Sequence, residues 1–422
     1  MKPNVVLIVA DTLRKDFSQG LDRLLDLGFV KYDNAFSTAP WTLPSHVSMF
    51  TGLYPSQHGV HEYFGITDTV EEYGRLGRQA MGKFDNLISL LKDEGYRTIG
   101  VSANWFFTPF YGFNFDEFYL IPYPPLLVLD SELYGFMKSR IRMSRLRLAL
   151  EMIRAGKTRE LGKMAVSYLQ YFYLSRTAHK GCNLILDTLE KLDLSGQSFI
   201  FINEMEAHEP YSVDVIEGND AYTRYDYNLY RSIFLNSAEG SMIEHYRKYY
   251  HIHAERSVKC VLDILSKLNK RINVDDSLII VTSDHGNHAG ENGRISHGFY
   301  LTDELLRVPL YIRYPKNQEP KIKRDHVSLT TLYYLVKSLI YNESFQANDL
   351  VVSESYGPHH SISRVKSYFN LPDSELRKYY SHRIRLTLND GYLVYNADDD
   401  TVIEHSGNLS VENVNKLKEI FT

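Results

Sequence analysis

Cys182 and Cys260 are the only cysteines among the 422 residues. Two are too few for the disulfide framework that staples small secreted domains. That count neither requires nor forbids an oxidising compartment. No apolar run approaches the roughly 20 residues of a membrane-spanning helix. The N-terminal run, Val5 to Ala10, is too short for a span or for a signal-peptide core. The chain as given is therefore expected to be soluble and cytoplasmic, with peripheral membrane contact left open. Basic excess is lacking too: 47 Lys and Arg stand against 52 Asp and Glu, a net charge of −5. That balance argues against a general nucleic-acid binder. Internal repeats and low-complexity tracts are also missing.

What is present is ordinary for a globular protein, with 44% hydrophobic and 23% charged residues. The length suffices for one large domain plus a smaller one. Five short apolar runs recur: VVLIVA (5–10), TIGVSA (98–103), SFIFIN (198–203), SLIIVTS (277–283) and VPLYIR (308–313). Continuous apolar runs of this length suit strands covered on both faces. Amphipathic stretches lie between them, such as FDNLISLLKDEGY (84–96), with Gly95 as its C-cap, and SVKCVLDILSKLNK (257–270). The expected fold is α/β, a mainly parallel central sheet with helices on both faces.

Residues 126–180 interrupt the pattern and predict a basic helical insertion. Within it, 138–163 carries nine Lys and Arg against Glu151 and Glu160, a net +7. That charge reads as a solvated helical face or as a dock for an anionic substrate or membrane surface. Residues 1–320 would form the main domain. Residues 321–422 would form a smaller α+β appendage, with GYLVYNADDDTVIEH (391–405) as an antiparallel hairpin.

Four apolar runs end in polar residues: Asp11, Asn104, the Glu204–His208 segment, and Asp284-His285. Ligands of open α/β sheets bind at the carboxyl ends of strands. Any one of these could be a helix cap, but four together point to one site. Adjacent carboxylate and imidazole groups suit a divalent cation, so Asp11, Asp284 and His285 are candidate ligands. Thr42 sits in the Pro-bounded stretch APWTLPSH (39–46). A threonine hydroxyl is a weak nucleophile until a dication lowers its pKa. Pro40 and Pro44 would stiffen the loop, and a helix starting near Pro44 would aim backbone N–H groups at an anion. Thr42 is thus both a candidate ligand and a candidate nucleophile, with helix capping as its structural alternative.

PNVVLIVADTLRKD (3–16), NAFSTAPWTLPSHVSMFTGLYPSQHGV (34–60), FINEMEAHEPY (201–211) and TSDHGNHAGENGRISHGFYLTDELLRVPLYIRYP (282–315) resemble, in order and spacing, the sulfatase branch of the alkaline phosphatase superfamily. The resemblance implies metal ligation by Asp11, Asp284 and His285, with Thr42 at the nucleophile position. It makes His208 and His297 catalytic partners at the substrate, and Asn104, His46 and Glu206 further substrate contacts. It implies one divalent ion (Zn, Mn, Mg or Ca), with room for a second held by Glu206, His208 and His297. It also implies an anionic substrate, a small-molecule, glycan or lipid-headgroup ester. Three positions depart from the sulfatase pattern. Thr42 stands where the formylglycine Cys or Ser would be, His46 replaces the motif arginine, and Thr12 replaces a second aspartate. Thr42 resembles instead the phosphate-transferring members. The expected activity is a metal-dependent hydrolase or transferase of phosphoric esters and diesters. A formylglycine-independent sulfatase and a non-catalytic binding protein are the alternatives.

Overall fold

Aliphatic, β-branched residues in an unbroken run favour a strand with no solvent face. Asn4–Ala10 is such a strand, buried throughout from Val5 onward. A computed structural model of the chain describes residues 2–121, 131–140, 143–174, 179–211, 220–345, 351–389, 391–407 and 415.

In chain order the strands are β1 (Asn4–Ala10), β2 (Val30–Lys31), β3 (Asn34–Phe36), β4 (Arg97–Ser102), β5 (Glu117–Leu120), β6 (Ser198–Glu204) and β7 (Ser277–Thr282). They continue as β8 (His288–Ala289), β9 (Ile295–Ser296), β10 (Arg307–Val308), β11 (Leu310–Arg313) and β12 (His326–Ser328). The last four are β13 (Val351–Ser355), β14 (Arg383–Leu388), β15 (Gly391–Asn396) and β16 (Thr401–Ser406). The central sheet has seven strands in the order β2-β11-β7-β1-β6-β4-β5. β1 pairs in parallel with both neighbours, Val6 lying opposite Ile200 and Ile279. β4 and β5 extend the parallel part. β11 runs antiparallel to β7, and β2 antiparallel to β11. The sheet is mainly parallel, as expected, and VPLYIR supplies its antiparallel member.

Alternation along β1 sorts its side chains into two layers. Val5, Leu7 and Val9 enter a core shared with Leu43, Val47 and Phe50 of the helix Thr42–Thr51 and with Leu87, Leu90 and Leu91 of the helix Leu87–Asp93. Val6, Ile8 and Ala10 enter a second core with Ile185 and Leu189 of the helix Cys182–Lys191 and with Tyr246, Tyr250 and Val261 of the helix Gly240–Leu268. Each such fully buried aliphatic side chain contributes about 1.5–3 kcal/mol. Local signals set the helix ends. Asn86 caps the helix Leu87–Asp93 by accepting from the N–H groups of Ile88 and Ser89, and Gly95 follows at φ +80°. In the second layer Cys182 and Cys260 are joined in a disulfide that ties two helices together.

Two expectations need correction. The boundary at 320/321 falls too early. β12 pairs in parallel with β3, and Leu332, Leu335 and Leu339 of the helix Thr331–Tyr341 belong to the first core. The distinct part is the four-stranded antiparallel sheet β13-β14-β15-β16, which starts at Val351. Apolar periodicity identifies a helix but not the layer it joins, hence the misplacement. The hairpin expected at 391–405 is β15 paired with β16. The basic insertion contains the helices Ser131–Lys138, Arg145–Arg154 and Thr158–Leu174. Of the span 126–180, residues 126–130, 141–142 and 175–178 lie outside the described residues. The second correction concerns Glu206 and belongs to the site.

Candidate active site

The central strands run parallel, so their carboxyl ends meet at one edge and the polar residues that follow them converge. The side chain of Asp11, just past β1, accepts from Asn104 Nδ2 at 3.1 Å and Asn203 Nδ2 at 3.4 Å. Asn104 follows β4 and Asn203 lies near the end of β6. Past β7, Asp284 Oδ1 accepts from the backbone N–H of Thr12 at 3.2 Å and of His285 at 2.9 Å. Thr12 adopts φ +61°, an unfavourable backbone for a β-branched residue. That geometry turns its N–H toward Asp284, while its carbonyl accepts from Tyr250 Oη at 2.7 Å. Thr12 thus contributes to the site through its backbone.

Thr42 opens the helix Thr42–Thr51. The N-cap is Trp41, which makes no side-chain capping bond, so capping does not account for Thr42. Its Oγ1 lies 3.2 Å from His285 Nε2. The neighbouring residues hold it there. Ser45 Oγ donates to the Asp284 carbonyl at 2.7 Å, and the Pro40 carbonyl accepts from Gly298 N–H at 2.9 Å. His46 is fully buried, with Nδ1 2.9 Å from the Thr42 carbonyl and 3.6 Å from Asp284 Oδ2. It packs behind Thr42, with its ring against Phe107.

Asp11, Asp284 and His285 each offer a ligand atom within 4.8 Å of the others. Asp11 Oδ1 and Asp284 Oδ2 are buried without a hydrogen bond. Nδ1 of His285 bonds to the Gly286 carbonyl at 2.8 Å, which puts the proton there and leaves Nε2 unprotonated, its lone pair on the side of the Thr42 hydroxyl. Burial, reinforced by Asp284, pushes Asp11 up to about 6. Burial pushes Asp284 up to about 7 and His285 down to about 4. Two buried carboxylates with unpartnered oxygens, a neutral imidazole and a nearby hydroxyl fit a divalent cation, whose charge would favour both ionised carboxylates.

A second group adjoins the first. His208, Glu209 and His297 also hold ligand atoms within 4.8 Å of one another. The His285 and His297 rings are 4.6 Å apart and those of His208 and His297 5.1 Å. His208 Nδ1 bonds to the Glu209 carbonyl and His297 Nδ1 to Asn287 Oδ1 at 3.0 Å, so both Nε2 atoms are left for a ligand. Burial, with His285 and His208 nearby, holds His297 well below the ordinary imidazole value. Glu209 accepts from Ser296 Oγ at 2.7 Å and Asn287 Nδ2 at 2.8 Å.

Glu206 does not join either group. Its Oε1 accepts from the backbone N–H groups of Lys180 and Cys182 at 2.9 and 3.2 Å, so it caps the helix Cys182–Lys191 from behind. Glu209 holds the place expected of Glu206. The chain turns after β6, with His208 N–H donating to the Met205 carbonyl, and strand alternation no longer predicts direction. Glu209, Asn203, Asn287 and Ser296 went unrecognised in the sequence. So did His359, whose ring stacks on Trp41 at 5.4 Å and on His297 at 5.9 Å. Glu209 and Asn287 sit inside the recognised motifs, next to His208 and two residues past His285, and that adjacency was the available signal.

Known proteins bear on this geometry. The uncharacterized sulfatase YidJ of Escherichia coli (strain K12) is 22% identical over 361 residues, 78% of this chain and 66% of that protein. The chain thus spans just under two thirds of that relative's length. The phosphonate monoester hydrolase SpPMH of Silicibacter pomeroyi shares the fold, with a TM-score of 0.60, 16% identity, and coverage of 99% of this chain and 94% of that one. BT1596, a 2-O GAG sulfatase, shares it with a TM-score of 0.58, 14% identity, and coverage of 100% and 89%. The sequence model of the sulfatase family matches residues 3–339, which takes in Thr42 and the ends of β1, β4, β6 and β7. The chain belongs to the sulfatase family.

Proposed function

We propose that the chain is a divalent-metal-dependent hydrolase or transferase of phosphoric esters and diesters, with Thr42 as nucleophile. The observation that carries this reading is the position of the Thr42 hydroxyl, buried at a helix start and 3.2 Å from His285 Nε2. Asp11, Asp284, His285 and Thr42 would hold the cation. Zn²⁺ or Mn²⁺ suits this mixed oxygen and nitrogen set better than Mg²⁺ or Ca²⁺. When bound, the ion supplies Lewis acidity and makes a hydroxyl beside it more acidic.

In this reading Thr42 Oγ1 forms a bond to phosphorus, and the bond from phosphorus to the leaving oxygen breaks on the opposite side. The hydroxyl proton passes to solvent. His208 and His297 face the phosphoryl oxygens and the leaving oxygen through their Nε2 atoms. An anionic ester between them favours the charged form of His297, which burial otherwise suppresses. Backbone N–H groups in the first turn of the helix Thr42–Thr51 favour negative charge at the same point. Water or an acceptor alcohol then attacks phosphorus and frees Thr42.

Phosphoryl rather than sulfuryl transfer is favoured by the chemistry of threonine. Formylglycine is an aldehyde made from a primary carbon. Oxidation of a secondary alcohol gives a ketone, so Thr42 cannot become that cofactor. Rates on p-nitrophenyl sulfate, phosphate and bis-phosphate diesters test the reading. Faster turnover of a phosphoric ester is expected, and a preference for sulfate would overturn it. Trapped phosphothreonine at Thr42 by mass spectrometry is the second expected result. For compartment, disulfides are rare in reducing cytosol, so the Cys182–Cys260 bond favours an oxidising compartment over the cytoplasmic expectation.

A further inference from the structure

We propose that the basic insertion is a docking face for an anionic lipid bilayer. The inference is independent of the chemistry assigned to Thr42. In the helix Arg145–Arg154, Met152 is fully buried and Leu148 packs against the first core. Leu146, Leu150 and Ile153 point the other way, 75%, 47% and 51% exposed. Their spacing of four and three places all three within roughly 60° of one helix face. In the helix Thr158–Leu174, Leu161 and Met164 pack inward while Val166 is 55% exposed. Arg159 and Lys163, exposed as well, share its face at the same spacing.

A single exposed leucine is normal, but three large apolar residues along about two turns of one helix face make a patch. Arg147 and Arg154 are exposed on the same helix, and Arg159 and Lys163 on the next, in a segment whose net charge is opposite to that of the whole chain. Apolar residues bounded by cations form the pattern of a helix lying in the headgroup region of a bilayer. A second copy of the chain fits worse, because it would press the same cations together. The ends of the insertion connect to the central sheet and to the segment that carries His208. β5, from whose carboxyl end the insertion departs, is an edge strand of the central sheet. The chain returns at Lys180, whose Nζ bonds to the His208 carbonyl.

Co-sedimentation of the intact protein with vesicles tests the proposal. The protein is expected to sediment with phosphatidylcholine vesicles containing phosphatidylglycerol, and not with phosphatidylcholine alone. Added salt should weaken the binding, since exposed charges are screened. Leu146→Ser, Leu150→Ser and Ile153→Ser combined should reduce it by about tenfold or more. Arg159→Glu with Lys163→Glu should abolish it. Both variants should hydrolyse a soluble ester at the wild-type rate, which shows that they fold. Failure of the wild type to bind the mixed vesicles, or equal binding by the variants, overturns the proposal. So does analytical ultracentrifugation showing that the wild type dimerises and the leucine variant does not, which would make this face an interface between copies.

Discussion

Thr42 Oγ1 and His285 Nε2 lie 3.2 Å apart although 243 positions separate them in the chain. One opens a helix in the first layer and the other follows a central strand. Ser45, three residues beyond Thr42, bonds to the carbonyl of Asp284 and fixes the approach. The contact joins the candidate nucleophile to the candidate cation ligands and engages the hydroxyl proton, which leaves the oxygen lone pairs for a cation.

Replacing Thr42 therefore tests the centre of the reading. Thr42→Ala is expected to lower turnover by at least about a thousandfold while leaving the melting temperature within a few degrees, because nucleophile loss removes a bond made only during reaction. Thr42→Ser keeps the hydroxyl and should retain activity within about tenfold. Steady-state rates with thermal melts on the same preparations decide the matter. An alanine variant with near wild-type rate rejects Thr42.

The raised carboxylates give a pH signature for cation binding. In the metal-free fold Asp11 and Asp284 titrate at about 6 and about 7, against 3.8 ordinarily. The folded chain then holds protons that the unfolded chain has released. The stability from those two groups is complete below the ordinary value and is lost as the pH rises through about 6 and about 7. A cation that binds the ionised forms reverses that loss. Scanning fluorimetry should show Mn²⁺ or Zn²⁺ raising the melting temperature more near pH 8 than near pH 5, by at least about twofold. An equal rise at both pH values would count against these ligands.

Asn104 supports Asp11 without being a candidate ligand. Its Nδ2 donates to Asp11 Oδ2 at 3.1 Å, and a group that orients a ligand typically governs affinity by about 10–100-fold. Asn104→Ala should weaken metal affinity by that factor, with activity restored at high metal concentration. Calorimetric titration and the metal dependence of the rate both read it. If Asn104 contacted the substrate instead, KM would rise and metal affinity would not change.

The Cys182–Cys260 bond closes a loop spanning 78 positions. Cross-linking a loop of that length stabilises by about 4 kcal/mol through the unfolded state. A thermal melt in tris(2-carboxyethyl)phosphine should fall by several degrees, and Cys182→Ser with Cys260→Ser should reproduce the reduced melt without added reductant. An unchanged melt would show that the bond contributes nothing in solution.

Much of the sheet was readable because its signal is local. VVLIVA, SFIFIN and SLIIVTS carry their own burial in their composition. Asp11, Asn104, Asp284 and His285 were readable because parallel strands send their carboxyl ends to one edge. Glu209 was not. Its carboxylate meets Ser296 and Asn287 only after the segment beyond β6 has turned, and no period survives that turn. The helix Thr331–Tyr341 was assigned to the appendage for a related reason, since its apolar face does not name the layer that receives it.

The amino-acid sequence by itself determined the α/β class, the strand ends that carry chemistry, and the threonine that departs from sulfatase usage. These depend on composition and on spacing within a few residues. Only the tertiary structure decided that Glu209 and not Glu206 faces the histidines, that Thr12 serves through its backbone, and that Cys182 reaches Cys260. Each depends on contacts between segments far apart in the chain, whose side-chain directions are set by packing and not by any local period.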